Sequence, residues 1–138
     1  YDRRFRHVQL DLELDKDLPA IVGVADQLTQ VFMNLLINAM DACTAADVRE
    51  ARIVLTSDCD VERVHVTVRD NGCGMSTETL KNIFEPFFTT KRGYGTGLGL
   101  SICKSIIAEF DGTIELESTV GEGTTVTVSL PVEKEVKE

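Results

Sequence analysis

Val64-His65-Val66-Thr67-Val68-Arg69-Asp70 runs directly into Asn71-Gly72-Cys73-Gly74-Met75. Side chains alternate along a strand, so Val64, Val66, Val68 and Asp70 share one face. Three valines turn that face toward a core, and the carboxylate of Asp70 therefore points inward. A buried carboxylate is costly unless something donates to it. Gly72 and Gly74, just beyond, open a turn through which another molecule can approach the backbone closely. An inward acid beside a glycine-opened turn reads as a ligand site, with a structural salt bridge or cap as the alternative.

The rest of the composition frames that reading. A chain of 138 residues with 43% hydrophobic content fits one compact domain with a real core. No apolar stretch reaches the ~20 residues of a membrane span, and no signal-peptide pattern opens the chain. The net charge of -9 argues against nucleic-acid binding. It also means that an anionic ligand has to be held by local donors. Cys43, Cys59, Cys73 and Cys103 form no CxxC pair. They read as reduced, mostly packed thiols of a cytoplasmic protein rather than as disulfides or a zinc site.

Working outward, Val8, Leu10, Leu12 and Leu14 alternate with polar residues and predict a half-buried strand. Ile21-Val22-Gly23 suggests a short second one. Asp26 caps a long helix running to about Ala45. Strands follow near Arg52–Ser57 and Val61–Arg69, joined by Asp58-Cys59-Asp60. A short helix from Thr77 to Ile83 has Ser76 as its cap. Residues 85–97 read as a loop, and a helix runs from about Leu98 to Phe110 until Asp111-Gly112 stops it. Strands near Thr113–Ser118 and Thr124–Pro131 form a hairpin around Gly121-Glu122-Gly123. Residues 1–132 make the domain and 133–138 a charged tail or linker. The element order suggests an α+β fold, with helices on one face of a mixed sheet.

Two further segments carry chemistry. On the long helix, Leu28, Val31, Phe32, Leu35, Leu36, Ala39, Met40 and Cys43 make one apolar face. Gln27, Gln30, Asn34, Asn38 and Asp41 converge opposite, within about 40° of one line. Asparagine is a poor helix former, whereas a merely solvated face favours Lys and Glu. Amide oxygens on one stripe suit a hard cation such as magnesium; a plain polar surface is the alternative. Gly93-Tyr94-Gly95-Thr96-Gly97-Leu98-Gly99-Leu100-Ser101 leads straight into a helix. Backbone amides there, unhindered by Cβ atoms, can cradle phosphate, with Lys91 and Arg92 beside them to neutralise its charge. The spacing is neither GxxxxGK[ST] nor GxGxxG, and a flexible loop without ligand is the other reading.

Together these segments resemble the catalytic, ATP-binding domain of bacterial sensor histidine kinases, which shares the Bergerat fold with gyrase, the 90-kDa heat-shock chaperone and MutL. Asn34-Leu35-Leu36-Ile37-Asn38-Ala39 resembles the asparagine box and Asp70-Asn71-Gly72-Cys73-Gly74 the first glycine box. Ile83-Phe84-Glu85-Pro86-Phe87-Phe88-Thr89-Thr90-Lys91 resembles the phenylalanine box. Gly95-Thr96-Gly97-Leu98-Gly99-Leu100 resembles the second glycine box, and Gly121-Glu122-Gly123-Thr124 the closing GxGT turn. Five boxes in the family's order cover nearly the whole chain. The resemblance implies a two-layer α/β sandwich with a mostly antiparallel mixed sheet and a flexible ATP lid.

The resemblance also implies roles. Asp70 accepts from the adenine exocyclic amine, a bond worth roughly 1.5–3 kcal/mol. Gly72 and Gly74 shape the adenine end, and Thr124 bonds nearby through water at Asp70. Asn38 gives its amide oxygen to magnesium, with Asn34 one turn earlier. Gly95, Thr96, Gly97, Leu98, Gly99 and Leu100 form the lid over the phosphates. Phe84 and Phe87 couple the lid to the core or to a partner helix, or simply pack. Hydrolysing relatives place a glutamate base where Asn34 stands, and an amide cannot act as that base. Water attack is therefore slow, and the γ-phosphate is left for a histidine. Asp41 stands where many sensor kinases carry Lys or Arg; it holds a magnesium-bound water, and the phosphate contact falls to Lys91 or Arg92.

His7 and His65 sit in strands and read as ordinary strand residues, so the phosphoacceptor histidine belongs to dimerisation helices outside this chain. The chain is then a catalytic domain cut from a longer kinase, cytoplasmic even where its parent is membrane-anchored. A response regulator acts downstream, with no nucleic acid and no membrane contact. The alternatives are an ATPase or serine kinase of the same fold, which Asn34 and the phenylalanine box disfavour, and a degenerate regulatory module. Intact Asp70, Asn38 and lid glycines disfavour the last.

Overall fold

The computed structural model describes residues 8–16, 18–21, 23–46, 50–85 and 99–133. Among them, in chain order, lie β1 (Val8–Glu13), α1 (Ala25–Ala45), β2 (Ala51–Cys59) and β3 (Arg63–Asp70). Next come α2 (Thr77–Asn82), α3 (Gly99–Glu109), β4 (Thr113–Thr119) and β5 (Gly123–Pro131). The strands form one sheet in the order β1-β2-β3-β5-β4. Only the β1/β2 pair is parallel; the other three pairs are antiparallel.

Burying the helices' apolar stripes against one face of the sheet makes the core. Val31, Leu35, Ala39, Met40 and Cys43 of α1 meet Ile53, Val68, Val126, Val128 and Leu130, while Cys103 and Ile107 of α3 close the side. Each large aliphatic buried this way contributes about 1.5–3 kcal/mol. The α2 cap is as expected, with the Ser76 hydroxyl accepting from Thr79 N–H at 3.1 Å.

Four local expectations are corrected. Leu10 and Leu12 are 49% and 58% exposed, so β1 is not half-buried. The reason is tertiary: α1 lies mainly over β2, β3 and β5, and of β1 it is Val8 that packs against the core. Ile21 makes only an isolated bridge to Val132 rather than a strand. β3 and β4 already occupy both edges of β5, so Ile21 pairs with the residue past its end. Val24 is the N-cap of α1 and no side chain caps that end; Asp26 sits in the first turn, where its charge suits the helix dipole. The β2–β3 turn is Asp60-Val61-Glu62, because Asp60 Oδ1 accepts from both Glu62 and Arg63 N–H at 2.8 Å and lets β2 run on to Cys59.

All four cysteines are free, but only Cys43 and Cys103 are buried; Cys59 and Cys73 are exposed. His65 is a strand residue on β3, with Nδ1 against Ser129 Oγ and Nε2 against Asp60. His7, Phe87 and the tail residues 134–138 lie outside the described residues.

Candidate nucleotide site

Asp70 ends β3 directly opposite Thr124 of β5, and Thr124 lies opposite Ser118 of β4. These three form a polar row that closes one end of an otherwise apolar sheet face. Asp70 is 7% exposed and Thr124 8%. Burial pushes the Asp70 carboxyl above the usual carboxylate range, while the N–H groups of Gly72 and Thr124 pull the other way. The Gly72 N–H donates to Oδ1 at 2.9 Å.

The loop after Asp70 is pinned on three sides. Asn71 holds it to β2: its Oδ1 accepts from Arg52 N–H and its Nδ2 donates to Glu50 O, both at 2.8 Å. Cys73 N–H donates to Ala42 O of α1 at 3.2 Å, and Gly121 N–H donates to Cys73 O at 2.8 Å. Met75 N–H donates to Ser118 Oγ at 2.7 Å. Two glycines permit this closeness. A Cβ on Gly72 would lie 2.5 Å from the Ala42 carbonyl carbon, and Gly74 has φ +69 with Thr119 O only 2.1 Å from where its Cβ would be.

On α1, Asn34, Asn38 and Asp41 are half-buried rather than solvated. Asn34 Nδ2 donates to Cys103 Sγ of α3 at 3.8 Å, and Cys103 Sγ donates to Val31 O at 3.7 Å. Burial pushes the Cys103 thiol up, so it keeps the proton that Val31 O receives. Sulfur is then the acceptor toward Asn34, which turns that amide's NH2 to α3 and its oxygen away from it. By residue type the stripe carries amide oxygens and the Asp41 carboxylate, the kinds of donor that suit a hard cation. Gly99 and Leu100 are the first residues of α3. Lys91, Arg92, Gly95, Thr96, Gly97 and Leu98 lie outside the described residues. Phe84 packs against the core, with Lys104 Nζ 4.8 Å above its ring centroid.

Sequence reading missed Asn71, Ser118 and Cys103 as parts of this site. One signal marks Ser118. Ile114, Leu116 and Ser118 repeat the pattern of Val64, Val66, Val68 and Asp70, an inward apolar alternation that ends on a polar residue.

Because the Asp70 carboxyl is raised, the sign of its pH effect is set. For this group alone, folding stability is fully present below the unfolded-state value and is lost as pH rises through the raised folded value. A ligand that donates to the carboxylate needs it ionised, so binding weakens as pH falls through the same raised value. Below that value the expected loss is about tenfold per pH unit, setting in above the range of an ordinary aspartate. Calorimetric titrations from about pH 8 to about pH 4 check this; affinity that stays flat over the whole range contradicts it.

Residues 23–134 match the family model described as histidine kinase-, DNA gyrase B- and HSP90-like ATPase. Sensor histidine kinase ZraS of Escherichia coli is 39% identical over 131 residues, 95% of this chain and 27% of that protein. The catalytic domain of histidine kinase ThkA superposes with a TM-score of 0.78 at 33% identity, covering 91% of this chain and 81% of that one. Full-length ShkA, solved in complex with AMPPNP, gives a TM-score of 0.78 at 25% identity over 94% of this chain and 27% of that one. The chain spans 17% of the length of sporulation kinase E of Bacillus subtilis and 29% of that of ZraS of Klebsiella oxytoca, so it corresponds to a part of such relatives. Among the described residues, no helix is long and apolar enough to cross a membrane. By the match over most of its length, the chain belongs to the histidine kinase-, DNA gyrase B- and HSP90-like ATPase family.

Proposed function

We propose that this chain is the ATP- and magnesium-binding catalytic domain of a sensor histidine kinase. It supplies the γ-phosphate to a histidine on dimerisation helices of the same kinase, with a response regulator receiving the phosphoryl group afterwards. The observation that carries the reading is Asp70, a carboxylate kept inside the fold at the end of the polar row. Gly72 and Thr124 steady it through backbone N–H groups, and its acceptor character suits the adenine amine. Family membership and the AMPPNP complex of the similar ShkA support the same reading.

Each residue then has a task. Asp70 accepts from the base, and Gly72 and Gly74 let the loop close on it. Asn38, with Asn34 and Asp41 on its stripe, would hold magnesium, which supplies charge neutralisation at the phosphates. Lys91, Arg92 and the residues from Gly95 to Leu100 would contact the phosphates, as the family resemblance implies. Asn34 replaces a general base with an amide, whose oxygen can accept from water without activating it for attack. That preserves the γ-phosphate until the acceptor histidine arrives.

Calorimetric titration of the chain with ATP, with and without magnesium, tests the proposal. Magnesium-dependent ATP binding is expected. Asn38→Ala should weaken ATP binding at least about tenfold with magnesium and hardly at all without it. Equal losses in both conditions would make Asn38 structural. A folded protein that binds no nucleotide removes the reading altogether. Phosphotransfer to separately added dimerisation helices, followed with labelled ATP, then distinguishes kinase from ATPase.

A further inference from the structure

Ser118 makes three contacts with a hydroxyl that holds one proton. Met75 N–H lies 2.7 Å from its Oγ, Gly123 O 2.9 Å and Thr124 Oγ1 2.8 Å. A carbonyl oxygen can only accept, so the Ser118 proton goes to Gly123 O. An N–H can only donate, so one Ser118 lone pair belongs to Met75. The Thr124 contact is then left one polarity: Thr124 donates and Ser118 accepts. The Thr124 hydroxyl proton is thereby committed away from Asp70, its direct cross-strand neighbour. Side chains opposed in this way on one sheet face have Cβ atoms about 4.5–5.5 Å apart, close enough for one ligand edge to face both.

We propose that Ser118 is a specificity-determining residue for the nucleobase. By holding the Thr124 proton it leaves Thr124, like the Asp70 carboxylate, an acceptor toward the base. The inference rests on the nucleotide reading above and adds a polarity to it. Two acceptors side by side match an exocyclic amine, whose two protons can serve one each, directly or through a water. They oppose a carbonyl at the same ring position. Adenine carries the amine there and hypoxanthine the carbonyl, so ATP and inosine triphosphate are the probes.

The test is calorimetric binding of both nucleotides, with magnesium, to the parent chain, Ser118→Ala and Ser118→Thr. The parent should prefer ATP. In Ser118→Ala the Thr124 hydroxyl is released to rotate and donate, so the ratio of ATP to inosine triphosphate affinity should fall about tenfold, the worth of roughly one hydrogen bond. Ser118→Thr keeps the hydroxyl and should keep the ratio. A merely structural role for Ser118 predicts equal weakening of both nucleotides and an unchanged ratio, which overturns the inference while leaving nucleotide binding standing. A parent that binds neither nucleotide sinks the underlying reading instead. Should Ser118→Ala melt before it can be titrated, Thr124→Val removes the acceptor itself, and the same fall in ratio is required of it.

Discussion

Asp70→Asn should lose nucleotide binding by about 100-fold or more while melting at or above the temperature of the parent. The two side chains are nearly identical in shape, and the amide oxygen can still accept from Gly72 N–H. The remaining position then carries an NH2 group where an acceptor stood, so two donors face each other across the base. Stability moves the other way because burial disfavours the charge that the substitution removes. Thermal melting and calorimetry on the same sample separate the two effects. Undiminished binding with a normal melting curve would end the assignment of Asp70 to the base.

Gly72→Ala is expected to destabilise the fold and weaken nucleotide binding together, although it adds a single methyl. Its Cβ would sit 2.5 Å from the carbonyl carbon and 2.7 Å from the oxygen of Ala42, and 2.7 Å from Cys43 N. All three atoms are helix backbone, so no side chain can swing aside. The loop or the end of α1 has to move, at a cost of about 2–3 kcal/mol, or about 10 °C in melting temperature. The displaced loop also carries the Gly72 N–H that steadies Asp70, so affinity falls with stability. Gly99→Ala is the control for melting, since among the described residues nothing lies within 4 Å of its Cβ position. A Gly72→Ala protein that melts within about 2 °C of the parent would mean the junction yields easily.

Legibility differs along the chain for physical reasons. The buried stripe of α1 could be read because a 3.6-residue period persists over its 21 residues. The inward direction of Asp70 could be read because alternation assigns a face without reference to any partner. Alternation in β1 assigned a face equally well, but whether a helix covers that face is decided by the packing of α1, so Leu10 and Leu12 are exposed. The start of α1 misled because Asp26 is a favourable cap type, while the backbone enters the helix through Val24 in extended geometry. Asn34 announced itself by type and spacing. Its tie to Cys103 spans 69 positions in sequence and exists only once α1 and α3 are packed. Ser118 could have been found with the rule that found Asp70, applied once more to the last hairpin.

Among the described residues, the sheet order leaves β1 and β4 as its two outer strands, each with one side free of a ladder partner. Such rims invite pairing with another copy of the same chain. Here the rims carry acids: Asp11 and Glu13 on β1, Glu115 and Glu117 on β4, and Asp11 forms an ion pair with Arg52. Two copies approaching rim to rim therefore bring like charges together whichever rims meet. Part of the acidic surplus of this chain thus works against edge-to-edge pairing of its sheet.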